Sequence, residues 1–502
     1  MTLPLHNGEF RNRPEIPRQS VAEFRRQVIE RVRDGARVAA MFGLTGNGST
    51  PVLGVLADGV SGTLELVDTE ISGDYPSLTP DVPQVHLFER EIAEQCGVTP
   101  QDHPWLKPVR FVASQRPGYD GQGRAASEQR LVGVTDFYRV EGEEVHEVAV
   151  GPVHAGVIEP GHFRFQCHGE DVLHLEISLG YQHRGVERAL VGGPDKRTIH
   201  YVETLAGDTT IGHATAYCQA VEALAGCKPP ARAQVLRGVA LELERLANHT
   251  GDLGALAGDV GYLPTQSFCG RLRGDFLNMT ALVCGSRFGR GLVRPGGVGF
   301  DMDEARIGQL RDRLEQALRD VRSAVNLLWN TSSVRGRFER TGALTAETAR
   351  EIGLVGVVAR ACGLERDARH EFPSGIYRFG QIPVSTCHTG DVFARAYVRW
   401  LEIERSVAFV REQLDALPAG PVRATVGPLA NDAAVVTMVE GWRGEICHVA
   451  LTDTDGRFAR YKVVDPSFHN WFGLALALRN QQISDFPLCN KSFNLSYCGH
   501  DL

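Results

Sequence analysis

After Ser20, apolar residues return at Phe24, Val28, Ile29 and Val32, the spacing of one helix face, until Gly35 interrupts it. Ser20 as N-cap and Glu23 at the third helical position form a capping-box signature. The period then shortens. Residues 38–44, 52–56 and 64–67 read as strands divided by turns at Gly46-Asn47-Gly48-Ser49 and Asp58-Gly59-Val60-Ser61-Gly62. A second helix fits 85–95, closed by Gly97. Phe163, Phe165 and Cys167 alternate with polar residues, as do Leu173, Leu175 and Ile177 after a turn at 168–171, predicting a hairpin with one buried face. Beyond Gly185 helical spacing dominates, with helices over 231–256, 266–286, 303–328, 346–352 and 391–414. Strands at 422–426, 434–440, 445–453 and 458–463, the middle pair joined by Gly441-Trp442-Arg443-Gly444, predict a small antiparallel sheet. The fold class is α+β: a small α+β domain over 1–116, a linker over 117–144, and a mainly helical bundle with small antiparallel sheets over 145–502.

A chain of 502 residues exceeds one ordinary core and predicts at least two domains. The net charge of −8, with no basic stripe, argues against nucleic acid as a partner. Met1 to Gly8 is polar and broken by Pro4, predicting no secretory leader. No apolar run approaches the roughly 20 residues that cross a bilayer, so any membrane link is expected through partner subunits. The eleven cysteines are scattered and none stands in a Cys-x-x-Cys pair, which suits reduced thiols.

Two sets of charged residues invite a chemical reading. Glu89 and Glu91 lie two apart and share no helix face, so a solvated or docking surface is expected rather than an acid–base pair. On helix 231–256, Leu236, Val239, Leu243 and Leu246 form the apolar side, and Glu242, Arg245, His249 and Asp252 form one adjoining stripe. Spacing alone favours a water-facing ion-pair stripe; the other reading turns it toward a partner's redox centre.

Several segments carry a family resemblance. They are Gly151-Pro152-Val153-His154, Glu159-Pro160-Gly161-His162, Tyr181-Gln182-His183-Arg184-Gly185, Ala206-Gly207-Asp208-Thr209 with His213, Ser333-Val334-Arg335-Gly336-Arg337-Phe338, Asp367-Ala368-Arg369, Gly390-Asp391-Val392, Glu440 to Glu445, and Pro466-Ser467-Phe468. In this order, over nearly all of 140–502, the chain resembles the large subunits of membrane-bound nickel–iron hydrogenases and the quinone-site (49 kDa-type) subunit of respiratory complex I. Tyr75-Pro76-Ser77-Leu78, His86 to Ile92 and His103-Pro104-Trp105 resemble the 30 kDa-type accessory subunit of complex I, for which the resemblance implies a role in assembly.

In the hydrogenases two Cys-x-x-Cys pairs hold nickel and iron, because thiolates are soft, strong ligands. The matching positions here are Ala206, Thr209, Ser496 and Gly499, with Cys498 one residue out of register. The pairs Cys489/Cys498 and Cys218/Cys227 each span nine positions and are poorly spaced to rebuild a site. A nickel–iron centre is therefore expected to be absent, and no cofactor is expected on this chain alone. Loss of these ligands is shared with complex I, where the vacated cavity receives a quinone headgroup. By that resemblance His162, Tyr201 and Asp208 are candidate catalytic residues, and His154 and His213 candidate pocket lining. Arg184 and His249 match residues beside the iron–sulfur cluster of a small partner subunit. The resemblance further implies membrane-embedded antiporter-like and anchor partners, a peripheral place on the cytoplasmic face of the inner membrane, and redox coupled to ion movement. A non-catalytic coupling subunit and a hydrogenase with unorthodox ligands are the alternatives.

Overall fold

The computed structural model describes residues 3–44, 48–116, 118, 120–121, 131–154 and 158–502. Much of the expected linker segment, 117, 119 and 122–130, lies outside the described residues, as do 46–47 of the first predicted turn. The helix Val21–Arg33 starts at the predicted box: the Glu23 N–H donates to the Ser20 hydroxyl, and the Ser20 N–H donates to the Glu23 carboxylate. It packs on a five-stranded sheet in which Leu3–Leu5, Thr63–Ile71, Thr50–Asp58 and Arg37–Gly43 are antiparallel neighbours and Arg18–Gln19 runs parallel to Thr63–Ile71. The helix His86–Cys96 ends at Gly97, whose φ of 67° is the left-handed conformation glycine adopts freely.

Glu89 and Glu91 correct the surface expectation, since both are buried. The Glu89 carboxylate accepts from the Ser77 hydroxyl at 2.6 Å, the Thr79 hydroxyl at 2.7 Å and the Leu78 N–H at 2.9 Å. Glu91 meets Lys462 at 2.6 Å and Arg110 at 3.3 Å, joining the first unit to the end of the chain. A buried carboxylate is stable only when its charge is met in this way.

The sheet near the C-terminus has the order Phe458–Val464, Glu445–Thr452, Ala433–Glu440 and Phe10–Asn12, so an N-terminal strand completes it. Ala434, Val436 and Met438 face the core of the first unit, whereas Val435 and Val439 face the helical core. Burial on both faces explains why Ala433 to Val439 is almost continuously apolar. The segment predicted as a strand at 422–426 does not form one and makes an isolated bridge, Arg423 to Gly297. Pro421 precedes the segment and Pro428 closely follows it, and neither has an N–H to donate.

The predicted hairpin is His162–His168 and Asp171–Ser178, widened by a third strand, Val145–Val150. A bulge at Gln166/Cys167 shifts the register, so Val172 rather than Leu173 is fully buried. The helices Ala231–Asp259, Leu263–Cys284, Glu304–Asn330 and Val392–Asp415 form the bundle. Asp303 and Asp391 cap the last two by accepting from Arg306 and Ala394 N–H groups.

The stripe Glu242, Arg245, His249 and Asp252 is the larger correction, because all four are buried inside the chain. Glu242 accepts from Arg245 Nε at 3.0 Å, Arg369 at 3.2 Å, the Tyr377 hydroxyl at 2.7 Å and the Ser406 hydroxyl at 2.5 Å. Asp252 takes Arg399 Nε at 2.6 Å, and Arg360 bridges Glu402 and Glu440 at 2.7 Å each. The stripe is the core contact between helix Ala231–Asp259, helix Val392–Asp415 and the end of strand Ala433–Glu440.

Candidate functional site

Two segments distant in sequence meet at the end of strand Ala433–Glu440. One is the turn before helix Thr210–Leu224, with Ala206 and Thr209 buried. The other is the short helix Tyr497–His500, whose N-cap Ser496 accepts from the Gly499 N–H at 2.9 Å. Arg443 lies between them. Its guanidinium grips Asp208 with two bonds, at 2.6 and 2.8 Å, donates to the Thr209 hydroxyl at 3.3 Å, and donates through Nε to the Asn494 carbonyl at 2.6 Å. A planar fork matches a carboxylate in this bidentate geometry. The Trp442 indole N–H and the Asn248 amide donate to the Asp208 carbonyl, at 3.1 and 3.0 Å. Gly444 lets this turn approach: a Cβ there would lie 2.7 Å from the Gly356 Cα. Burial raises the Asp208 pKa, but the adjacent Arg443 outweighs it and holds the carboxyl below its ordinary range.

A second carboxylate stands beside Gly499. A Cβ on Gly499 would stand 2.6 Å from the Asp465 Cγ. Asp465 also caps helix Pro466–Ala477 by accepting from the Ser467 N–H at 2.8 Å. Cys498 is buried, 3.3 Å from the Ser496 hydroxyl, and burial pushes its thiol up to about 11, with Glu159 adding to the shift. Glu159 accepts from the Tyr497 and Cys498 N–H groups at 2.9 and 3.2 Å, tying the turn before His162 to the C-terminal helix. Glu244 accepts from the Ile211 and Gly212 N–H groups at 2.7 and 3.2 Å, at the N-terminus of helix Thr210–Leu224. Burial, with Asp208 nearby, pushes its carboxyl up to about 8 despite these donors.

Of the predicted site residues, Asp208 sits at the centre, and His213 is fully buried with both nitrogens engaged, by His448 and Asp465, at 3.1 Å each. His154 faces the Gly161 carbonyl at 2.9 Å, and His162 lies between the Gly151 carbonyl and Arg164 at 3.3 Å each. Tyr201 is 40% exposed, and its backbone carbonyl accepts from the Thr204 hydroxyl at 2.9 Å. Arg184 is exposed and donates to the Leu205 carbonyl at 3.0 Å, immediately before the Ala206 turn. His249, expected at a partner's cluster, is fully enclosed by its own chain: Nε2 lies 2.8 Å from Glu402, and the ring packs edge-on to Trp442 at 6.2 Å. Burial pushes its imidazole down, with Glu402 opposing. Sequence reasoning missed Arg443, Asp465, Glu244 and Glu159. Arg443 and Glu159 lay inside recognised motifs, and Asp465 stands just before Pro466.

A helical bundle that closes residues 206–209 against 496–499 defines a large-subunit type of protein. Residues 259–430 match the family described as the respiratory-chain NADH dehydrogenase 49 Kd subunit. The chain is 32% identical over 353 residues to the carbon monoxide-induced hydrogenase of Rhodospirillum rubrum, covering 70% of this chain and 97% of that one. It is 28% identical to formate hydrogenlyase subunit 5 of Escherichia coli over 84% of this chain and 76% of that one. It is 29% identical to NADH-quinone oxidoreductase subunit 4 of Thermus thermophilus over 68% of this chain and 90% of that one. The chain belongs to this family of hydrogenase large subunits and complex I 49 kDa-type subunits. No helix among the described residues is long and apolar enough to cross a membrane.

The residues present do not fit the four-thiolate centre of the family's hydrogenases. Ala206 offers a methyl, Thr209 and Ser496 offer hydroxyls, and the space a side chain at 499 would need holds the Asp465 carboxylate. The guanidinium of Arg443 supplies positive charge between the two segments instead.

Proposed function

We propose that this chain is the large subunit of a hydrogenase-related, membrane-associated oxidoreductase that carries no nickel–iron centre. Its site at Arg443, Asp208 and Asp465 serves a quinone or another small organic acceptor. The observation that carries this reading is Arg443 joined to Asp208 between the two segments that hold metals elsewhere in the family. A reduced quinone oxygen gains negative charge, and a preorganised guanidinium in a site with little water stabilises that charge. Asp208 holds the guanidinium in place. His162, Tyr201, His154 and His213 bound the acceptor's place, with Tyr201 at the exposed side.

Electrons arrive from a small iron–sulfur protein that binds against Arg184. In this arrangement His249 influences the partner's cluster through Trp442 rather than by contact. Membrane-embedded antiporter-like and anchor subunits hold the chain at the cytoplasmic face of the inner membrane and couple acceptor reduction to ion movement. The relatives named as subunits of formate hydrogenlyase and NADH-quinone oxidoreductase support a place in an assembly of this kind.

The test is naphthoquinone reduction by the intact complex carrying Arg443→Lys or Asp208→Asn. Each is expected to lower turnover by about 100-fold, the effect of removing one charge-stabilising donor or its support. Unchanged turnover in both variants would remove the site from the reaction.

A further inference from the structure

We infer that Tyr461, His448, His213 and Asp465 form an internal proton relay that loads one proton beside the Arg443–Asp208 site. This rests on the reading that an acceptor is reduced there. The Tyr461 hydroxyl lies 2.9 Å from His448 Nδ1, His448 Nε2 lies 3.1 Å from His213 Nδ1, and His213 Nε2 lies 3.1 Å from Asp465 Oδ2. All four are fully buried or nearly so. The relay begins inside the molecule and ends on the carboxylate that occupies the space beside Gly499.

Two proton arrangements keep all three hydrogen bonds of this relay. In the first, the phenol donates to His448, His448 donates from Nε2 to His213, and His213 donates from Nε2 to the ionised Asp465. In the second, His213 is an imidazolium that donates to both Asp465 and His448, and His448 donates from Nδ1 to the phenol oxygen. The second holds one more proton than the first. It is reached when a proton arrives at Tyr461 and each N–H or O–H hands its proton one place along, with no heavy atom moving. The buried imidazolium is then paired with a carboxylate, as a buried cation requires.

Ring packing leads from the outer end of the relay toward the surface. Tyr461 packs against Tyr217, ring centroids 6.2 Å apart, and Tyr217 is hydrogen-bonded to Thr198. The Thr198 hydroxyl donates to Asp195 at 3.0 Å, and Asp195 is exposed. Other titratable and charged neighbours among the described residues include Arg443, Asp208 and His469 near Asp465, and Cys218 and Cys447 near Tyr461. When the acceptor receives two electrons, one at a time, from the partner's iron–sulfur cluster, the His213 Nε2 proton passes to Asp465 and from there to one acceptor oxygen, leaving the other oxygen anionic beside Arg443. His213 returns to its neutral form, and the two rings reset their tautomers before the next proton.

Tyr461→Phe removes the hydroxyl and keeps the ring in its packing, so it isolates the relay from the fold. In the intact complex it is expected to slow naphthoquinone reduction at least ~10-fold, with KM unchanged and a larger solvent deuterium effect. A second readout needs no turnover: nitrogen-15 spectra of histidine-labelled complex, oxidised and dithionite-reduced. In the absence of quinone, wild type is expected to show His448 as the Nε2–H tautomer when oxidised and imidazolium at His213 when dithionite-reduced, the imidazolium disappearing once naphthoquinone is added, with Tyr461→Phe delaying its appearance. If the wild-type complex reduces no quinone, the functional reading fails while the spectra still judge the relay. Spectra unchanged by reduction, or a Tyr461→Phe complex equal to wild type in both rate and spectra, would show a structural hydrogen-bond chain and overturn the proposal.

Discussion

Glu244 shows how a single side chain can be read only with its surroundings. In sequence it is one carboxylate on a long helix; in the fold it accepts two backbone N–H groups at the start of helix Thr210–Leu224. Its carboxyl is raised to about 8, first by burial and then by Asp208. A carboxyl raised in the folded state favours folding while it is protonated. That contribution is complete below its unfolded value and is lost as pH rises through about 8. Glu244→Gln, which cannot ionise, is therefore expected to gain thermal stability relative to wild type as pH climbs from 5 to 9. Parallel melting curves across that range would contradict the assignment. At this scale the sequence showed which sulfurs were missing at 206, 209, 496 and 499. It did not show that Asp465 takes up the space beside Gly499, because that contact spans 34 positions and depends on where helix Pro466–Ala477 begins.

At the scale of elements, local signals were legible where the physics is local. The Ser20–Glu23 box, the caps Asp303 and Asp391, and the stop at Gly97 all sit where propensity and capping place them. The charged stripe on helix Ala231–Asp259 was read correctly as one face and wrongly as a wet one. Periodicity fixes which residues share a face, but the cover comes from Arg360, Arg369, Arg399 and Glu402, more than a hundred residues away. The network has a direct consequence for stability. Glu242→Ala leaves Arg245 and Arg369 buried without their shared carboxylate, and is expected to cost about 3–5 kcal/mol. A thermal melt of the purified complex checks this, and a midpoint within a degree or so of wild type would show that water or side-chain movement replaces the carboxylate. Glu242→Gln, which keeps the shape, should lose less.

At the scale of the whole molecule, the C-terminal sheet is a wall shared by two cores. Phe10–Asn12 closes its edge, one face packs on the first unit and the other on the helical bundle. Buried charge pairs fasten the same boundary: Glu91 with Lys462, and Arg37 with Glu445 and Glu371. A boundary drawn from composition could not foresee this, because strand pairing across more than 400 residues leaves no local trace. The turn carrying Trp442 and Arg443 hangs from this wall, so both units hold the guanidinium in place between residues 206–209 and 496–499.

The most direct measurement of that arrangement is the nickel content of the intact complex, purified from cells grown with nickel and analysed by mass spectrometry against protein. Nickel is expected far below one atom per chain, in a complex that still reduces naphthoquinone. One nickel per chain, retained through purification, would contradict a site held by Arg443 in place of metal.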